Sequence, residues 1–209
     1  KQSLSHRDMK EVYISHLHAD HCGGLEWLGF SARYDPGYEG KPTLYLHESL
    51  VEELWQQKLA GSMQYTVEGR GKLEDFFDIV ALTDTFLWQG VEFELVKVRH
   101  IEGPDISMPC FGLFFTLGEK SIFLTTDTTF DLENLLPYYE KADIIFHDCE
   151  LLPTPTGVHA NYQELKGLPD EIRQKMWLYH YGAEAKPPAI DEGFCGFVSC
   201  GQIFNFSKG

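Results

Sequence analysis

The chain has 209 residues, 43% hydrophobic and 14% aromatic, the make-up of a packed globular protein and not of a disordered one. Its formal net charge of −15 argues against broad electrostatic binding of nucleic acid or an anionic membrane, although bound metal ions can invert the field locally and admit a phosphate substrate. The apolar runs are far too short to span a bilayer, and five cysteines (Cys22, Cys110, Cys149, Cys195 and Cys200) in no familiar framework fit free thiols in a reducing compartment. Cys195 and Cys200 are close enough to pair, and adjacent strands explain them equally well.

In chain order, residue 1 is lysine, and a polar turn (residues 3–9) runs straight into the first strand, so the chain is expected to begin inside a domain. Residues 12–15 read as that strand. Ser15-His16-Leu17-His18-Ala19-Asp20-His21-Cys22-Gly23-Gly24 follows, and a helical stretch is expected near 23–31. The histidine-rich turn places three imidazoles and a carboxylate within six residues on curved backbone, where ligands can converge. Imidazole suits Zn²⁺, and a carboxylate beside it allows a second ion.

A loop at 35–42, a short strand at 43–46 ending in His47, and a helix from Glu48 to about Leu59 come next. Residues 61–71 read as a loop and 72–77 as a turn of helix. Strands are expected at 78–82, 91–98, 111–117 and 121–125, the last two joined as a hairpin at Gly118-Glu119-Lys120. Then come a short helix at 132–139, a buried strand at 142–147, helix at 161–176 broken at Gly167-Leu168-Pro169, a strand at 176–180, and a closing strand pair across 194–206. The whole, residues 1–209, is expected to be one α/β (α+β) domain, incomplete at its N-terminus.

Read together, the strand ends carry the chemistry. His100 follows 91–98, Asp127 follows 121–125, His147-Asp148 caps 142–146 and His180 caps 176–179. A lone histidine after a strand is unremarkable. Four such strands, with the histidine-rich turn as a fifth, can gather up to seven nitrogen and oxygen donors at one sheet edge.

These residues resemble the metallo-β-lactamase superfamily, an αββα sandwich of two mixed sheets flanked by helices with two metals at one edge. They are most similar to its ribonuclease Z-like phosphodiesterase branch. The resemblance runs from about Lys10 to Phe206. It implies that His16, His18 and His100 hold a first metal and that Asp20, His21 and His180 hold a second, with Asp127 bridging. Zn²⁺ is the default ion and Mn²⁺ the other choice. The run Asp143 to Glu150 is similar to the branch's His-Glu-Ala-Thr motif, with Asp148 in place of glutamate. Gly157-Val158-His159-Ala160-Asn161 stands where the branch has His-Ser-Thr. The opening strand hairpin of the family, with its Asp-Cys-Gly-like turn, has no counterpart here.

The chemistry expected of such a site is phosphodiester hydrolysis. Asp20 ligates and orients the nucleophile, His159 donates a proton to the leaving oxygen, Asp148 fixes the His159 tautomer, and His147 supports the ligands without ligating. His6 and His47 are expected to be structural or exposed, and Ser107, Met108, Pro109 and Cys110 to shape the pocket wall. Tyr34, Tyr38, Trp55 and Tyr65 are candidates for base stacking, with core packing or a partner surface at least as good an explanation.

A tRNA 3′-processing endonuclease is one reading of the motifs. Against it, only residues 101–126, filled by a hairpin, separate His100 from Asp127, where the branch inserts its tRNA-gripping arm, and the acidic balance gives little attraction for tRNA. His180-Tyr181-Gly182 and Gly157-Val158-His159 also resemble the anti-Pycsar nucleases of phages and bacteria, which degrade cyclic mononucleotides and so cancel an immune signal. That resemblance implies hydrolysis of a cyclic nucleotide to a linear monophosphate in a bacterial or phage-infected cytoplasm. It also implies a homodimer, for which residues 35–75 could supply the interface. A β-lactamase or glyoxalase-like thioesterase ranks lower, because His147-Asp148 paired with His159 resembles a feature of the phosphodiesterase branch that β-lactam hydrolysis is not expected to need. A metal-free binding module of the same fold ranks lower too, because no ligand position has been lost.

Overall fold

The structure, a computed structural model, describes residues 4–206; Lys1 to Ser3, where the expected polar turn begins, and residues 207–209 lie outside them. The chain divides into two compact units between Thr83 and Asp84, and each is best understood on its own.

The first unit is built on three parallel strands, β1 (Glu11–Ile14), β2 (Thr43–His47) and β5 (Asp78–Leu82), in the order β1-β2-β5. Parallel neighbours need long crossovers. α1 (Ala19–Cys22) and α2 (Leu25–Tyr34) make the first one. α2 buries Leu25, Leu28, Gly29 and Ala32, the i, i+3, i+4, i+7 stripe of a helix with one apolar face. Gly29 is required by close approach: a Cβ there would stand 2.6 Å from Met63 Cε and 2.8 Å from Phe77 Cζ.

The second crossover starts at His47, whose Nδ1 accepts the Ser49 amide as N-cap of α3 (Glu48–Glu53). The helix continues through a π-helical stretch, Leu54–Leu59, into α4 (Ala60–Met63), four residues beyond its expected end. It persists because Leu50, Leu54, Leu59 and Met63 are all buried, each fully buried leucine being worth about 1.5–3 kcal/mol. The expected loop at 61–71 therefore contains helix and then two short antiparallel strands, β3 (Tyr65–Thr66) and β4 (Gly69–Arg70). His6, expected to be structural or exposed, pairs with Asp35 at 2.7 Å.

The second unit is a seven-stranded mixed sheet in the order β12-β11-β10-β9-β8-β7-β6. β6 (Thr85–Trp88), β7 (Val91–Glu102), β8 (Ser107–Leu117) and β9 (Lys120–Leu124) form an antiparallel meander. β9, β10 (Ile144–Asp148), β11 (Met176–Tyr179) and β12 (Gly196–Phe197) run parallel. α5 (Leu132–Lys141) crosses between β9 and β10, and α6 (Tyr162–Lys166) with α7 (Asp170–Arg173) crosses between β10 and β11. Phe123, Leu135, Tyr139, Ile145, Leu165, Met176 and Leu178 form its buried core. The larger sheet is mixed as expected, whereas the smaller is parallel among the described residues.

Three local expectations are corrected. β6 was not foreseen: its turn to β7 is made by Gln89 and Gly90, both at positive φ, and glutamine is not a residue that announces such a turn. His100 lies within β7 and not beyond it, because the strand continues past a break in register between Val98 and Ile101. The closing strand pair is reduced to β12, paired over two residues at the sheet edge and followed by a turn.

Candidate metal centre

In the first unit, β1 delivers the chain into Ser15 and His16, both buried, and α1 begins immediately after His18. Buried Leu17 anchors the bend, and its carbonyl accepts the Cys22 thiol at 3.4 Å. Gly23 closes the turn: its amide donates to Ala19 O at 2.7 Å, and a Cβ would stand 2.4 Å from that oxygen. The rings of His16 and His18 are 4.9 Å apart and those of His16 and His21 are 4.1 Å apart. Ser15 Oγ lies 3.0 Å from His16 Nδ1 and 3.3 Å from His21 Nδ1. A hydroxyl oxygen has two lone pairs, so it can accept both Nδ1–H groups and leave both Nε2 atoms basic for an ion. Asp20, its side chain 59% exposed, has a carboxylate oxygen 3.5 Å from His21 Nε2.

In the second unit, β9, β10 and β11 end at one edge of the sheet with Asp127, Asp148 and His180 at or just beyond their C-termini, the edge where open α/β sheets bind ligands. Thr126 and His180 both have positive φ, 56° and 62°. For a β-branched residue this is a real outlier, and such strain costs on the order of 1–3 kcal/mol. Thr126 is held there by its hydroxyl, whose one proton is shared between the carbonyls of Thr125 at 2.6 Å and Phe111 at 3.2 Å, and the strained turn leads directly into Asp127.

His100 Nδ1 is 2.7 Å from the Val158 carbonyl. A carbonyl only accepts, so Nδ1 carries the proton and Nε2 keeps its lone pair. That Nε2 stands 3.9 Å from Asp127 Oδ2, and His180 Nε2 stands 3.6 Å from the same oxygen. These gaps are too long for hydrogen bonds. They are close to the separation of about 3.3–3.6 Å between ligands that share a tetrahedral ion at about 2.0–2.2 Å. The donor set therefore fits a divalent metal: buried carboxylate, basic imidazole nitrogens and ion-sized spacing.

Asp148 is buried and accepts from the Thr128 amide at 2.8 Å and from His159 Nδ1 at 2.7 Å, and its other oxygen is 3.3 Å from His180 Nδ1. One ligand atom each from Asp148, His159 and His180 lies within 4.8 Å of the others. Burial works to lower the His159 pKa, but its hydrogen bond and attraction to Asp148, with a further pull from Asp127, raise it overall. An imidazole held this way presents Nε2 outward with an easily retained proton.

His147 has both nitrogens engaged. Nδ1 donates to the Asp148 carbonyl at 2.6 Å, and Nε2 accepts the Tyr139 hydroxyl at 2.6 Å, so neither is left for an ion. Burial lowers its pKa. Ser107 to Cys110, expected to shape the pocket wall, are the start of β8, with the buried Cys110 thiol directed at the Asp127 carbonyl at 3.2 Å. Of the aromatic candidates, Tyr38 is buried with its hydroxyl on Met9 O, whereas Tyr65 is exposed. Sequence reasoning missed the Val158 carbonyl, the Thr128 amide and the Tyr139 hydroxyl. The first two are backbone groups with no side-chain signature.

A family model described as "Anti-Pycsar protein Apyc1" matches residues 1–204. The chain is 37% identical over 186 residues to an anti-Pycsar protein Apyc1 of Paenibacillus harenae, covering 87% of this chain and 72% of that one. It is 33% identical over 183 residues to one of Bacillus phage vB_BsuM-Goe3, covering 82% and 68%. Among solved structures it is similar to the metallo-β-lactamase fold protein YhfI of Bacillus subtilis, with a TM-score of 0.66 at 17% identity over 93% of this chain and 76% of that one. It is also similar to the short form of human tRNase Z, with a TM-score of 0.55 at 15% identity over 87% and 76%. At such identities the likeness is one of fold, and the fold is that of the metallo-β-lactamases.

Proposed function

This chain belongs to the anti-Pycsar Apyc1 family, and we propose that it is a metal-dependent phosphodiesterase that hydrolyses cyclic mononucleotides to linear monophosphates, cancelling a cyclic-nucleotide signal in a bacterial or phage-infected cytoplasm. In this reading His16, His18 and His100 would hold one divalent ion and Asp20, His21 and His180 would hold another, with Asp127 available to both. Zn²⁺ is the first choice and Mn²⁺ the second. Such ions lower the pKa of water toward 7 and polarise a phosphoryl oxygen.

The chain's own residues do the rest. Asp20 orients the attacking water. His159 gives its Nε2 proton to the ribose oxygen that leaves phosphorus, and Asp148 holds the opposite nitrogen so that this proton points outward. The observation that carries the reading is the 2.7 Å Asp148–His159 bond beside the Asp127 carboxylate, an acid catalyst next to a metal-fitting donor.

Within the same reading the protein acts as a homodimer through residues 35–75. In support, Tyr65 and Val67 stand 75% and 97% exposed there. No helix among the described residues is long and apolar enough to cross a membrane.

The experiment is to incubate metal-loaded protein with each of cAMP, cGMP, cCMP and cUMP, and separately with a pre-tRNA, beside a His18→Ala control. Conversion of a cyclic nucleotide with pre-tRNA left intact is expected. Cleavage of pre-tRNA alone would transfer the assignment to a tRNA 3′-endonuclease. Fewer than about one metal per chain after careful purification would favour a binding module. Light scattering tests the dimer: an active monomer removes it.

A further inference from the structure

The mechanism above leaves the buried carboxylate of Glu150 unused. Glu150 follows β10 by two residues and is 6% exposed, yet its partners are neutral. Oε1 accepts the Thr156 amide at 2.8 Å and the Asn161 side-chain amide at 3.4 Å, and Oε2 accepts the Thr156 hydroxyl at 2.7 Å. All three donors belong to residues 151–161, the segment that carries His159. Opening the segment would strip a buried polar side chain of its partners, a costly change in a protein interior.

Both ends of the segment are also tied. The Glu150 amide donates to Ala160 O at 2.9 Å, the Tyr162 amide donates to Glu150 O at 3.0 Å, and Glu150 and Asn161 form a parallel β-bridge. Asn161 caps α6 through the Gln163 amide and sends its own side-chain amide to Leu152 O at 2.9 Å. Between these ties Thr156 is the midpoint. Its hydroxyl also accepts the Val158 amide at 3.4 Å, and Gly157 supplies the positive φ of 79° that turns the chain. The next two residues do the work already assigned: Val158 accepts the His100 proton, and His159 binds Asp148.

We propose that Glu150 is a positioning residue whose buried carboxylate, through Thr156, holds the 151–161 segment so that the Val158 carbonyl sets the His100 tautomer and His159 is aimed from Asp148. The functional half of this rests on the roles given above to His100 and His159; the clamp itself does not.

The test uses four variants of the full chain: Glu150→Ala, Glu150→Gln, Thr156→Ala and Thr156→Ser. Glutamine keeps an oxygen for the Thr156 amide and offers its NH₂ to the hydroxyl, and serine keeps the hydroxyl, so these two are the conservative rescues. Hydrogen–deuterium exchange of the Thr156–Ala160 segment is followed on metal-free protein, and kcat and KM for a cyclic mononucleotide on metal-loaded protein. Glu150→Ala and Thr156→Ala are expected to speed exchange there and to lower kcat roughly ten-fold or more with KM nearly constant, since a misplacement of about 1 Å can cost on the order of a hundred-fold. The two rescues are expected to restore both. Thr156 is exposed, so its variants decide the matter if Glu150→Ala does not fold. Unchanged exchange in Thr156→Ala, or equal losses in the alanine and rescue variants, overturns the proposal. If the wild type hydrolyses no cyclic nucleotide, the functional assignment fails while the exchange data still judge the clamp.

Discussion

The Tyr139 hydroxyl donates to His147 Nε2 across 2.6 Å, with both residues wholly buried in the second unit. Burial raises the phenol pKa, so the tyrosine stays a donor, and the histidine is fixed as its neutral Nδ1–H tautomer. Replacing Tyr139 with phenylalanine leaves Nε2 buried without that donor, and the expected loss is about 1–3 kcal/mol in a urea titration at neutral pH. A loss below a few tenths would mean the bond contributes nothing net.

The same histidine sets a pH dependence. Its folded pKa is lowered from 6.5, so the unfolded chain takes up the proton first. The stability tied to its neutral form is whole above about pH 6.5 and drains away as the pH falls below that value, at no more than about 1.4 kcal/mol per pH unit. Urea midpoints taken between pH 7.5 and 5 should fall less steeply for His147→Gln than for the wild type. Parallel curves would place the acid sensitivity elsewhere.

His159→Ala should separate acid catalysis from everything else. For a cyclic nucleotide, whose leaving ribose oxygen needs a proton, kcat is expected to fall about 10²–10⁴-fold. For a bis(p-nitrophenyl) ester, whose leaving group departs as the anion, the fall should be small. Equal losses on both substrates would assign His159 to metal binding or to structure.

Gly112 in β8 lies under the turn that carries Asp127. A Cβ there would stand 2.7 Å from Leu124 O and 2.8 Å from Thr125 O, backbone atoms that cannot swing aside. Gly112→Ala should therefore part β8 from β9 just ahead of Thr126, at an expected cost of about 1–3 kcal/mol, and weaken metal retention with it. Calorimetry and metal analysis on one preparation check both, and a variant with unchanged Tm and metal content would show that the strands have slack.

Metal removal supplies a fourth measurement of stability. An ion that binds only the folded chain stabilises it by about 4 kcal/mol at a thousand times its Kd. Dialysis against a chelator should lower the Tm of the wild type markedly. His18→Ala should start with less metal and lose less. Identical thermograms with and without chelator would sever ion binding from folding.

Much of this site could be read in the residues, for reasons tied to particular elements. Alternating runs such as Val91 to Val98 mark strands, and the donors fall where those runs stop, so Asp127, Asp148 and His180 were legible as strand-end groups. The pairing of Asp148 with His159 was legible only through resemblance, because the irregular chain between them, residues 149–158, carries no period. β7 ends at Glu102, four residues past its expected end at Val98, so His100 falls inside the strand beside a break in register that the residues do not announce. The Gln89-Gly90 turn and the backbone partners of His100 and Asp148 were illegible: one uses an uncommon turn residue, and the others use atoms every residue has.

The parallel order of β9, β10 and β11 gives the distances within this site a ruler of their own. Hydrogen-bonded strands sit about 4.8 Å apart whatever their side chains, so groups on three neighbouring strand ends inherit that pitch. Crossovers such as α5 can lengthen, shorten or be exchanged without altering it. Slipping any one of the three strands by a single residue would turn its donor to the opposite face. Sequence drift among relatives should therefore gather in the crossovers, with the strand lengths immediately before each donor held constant to the residue.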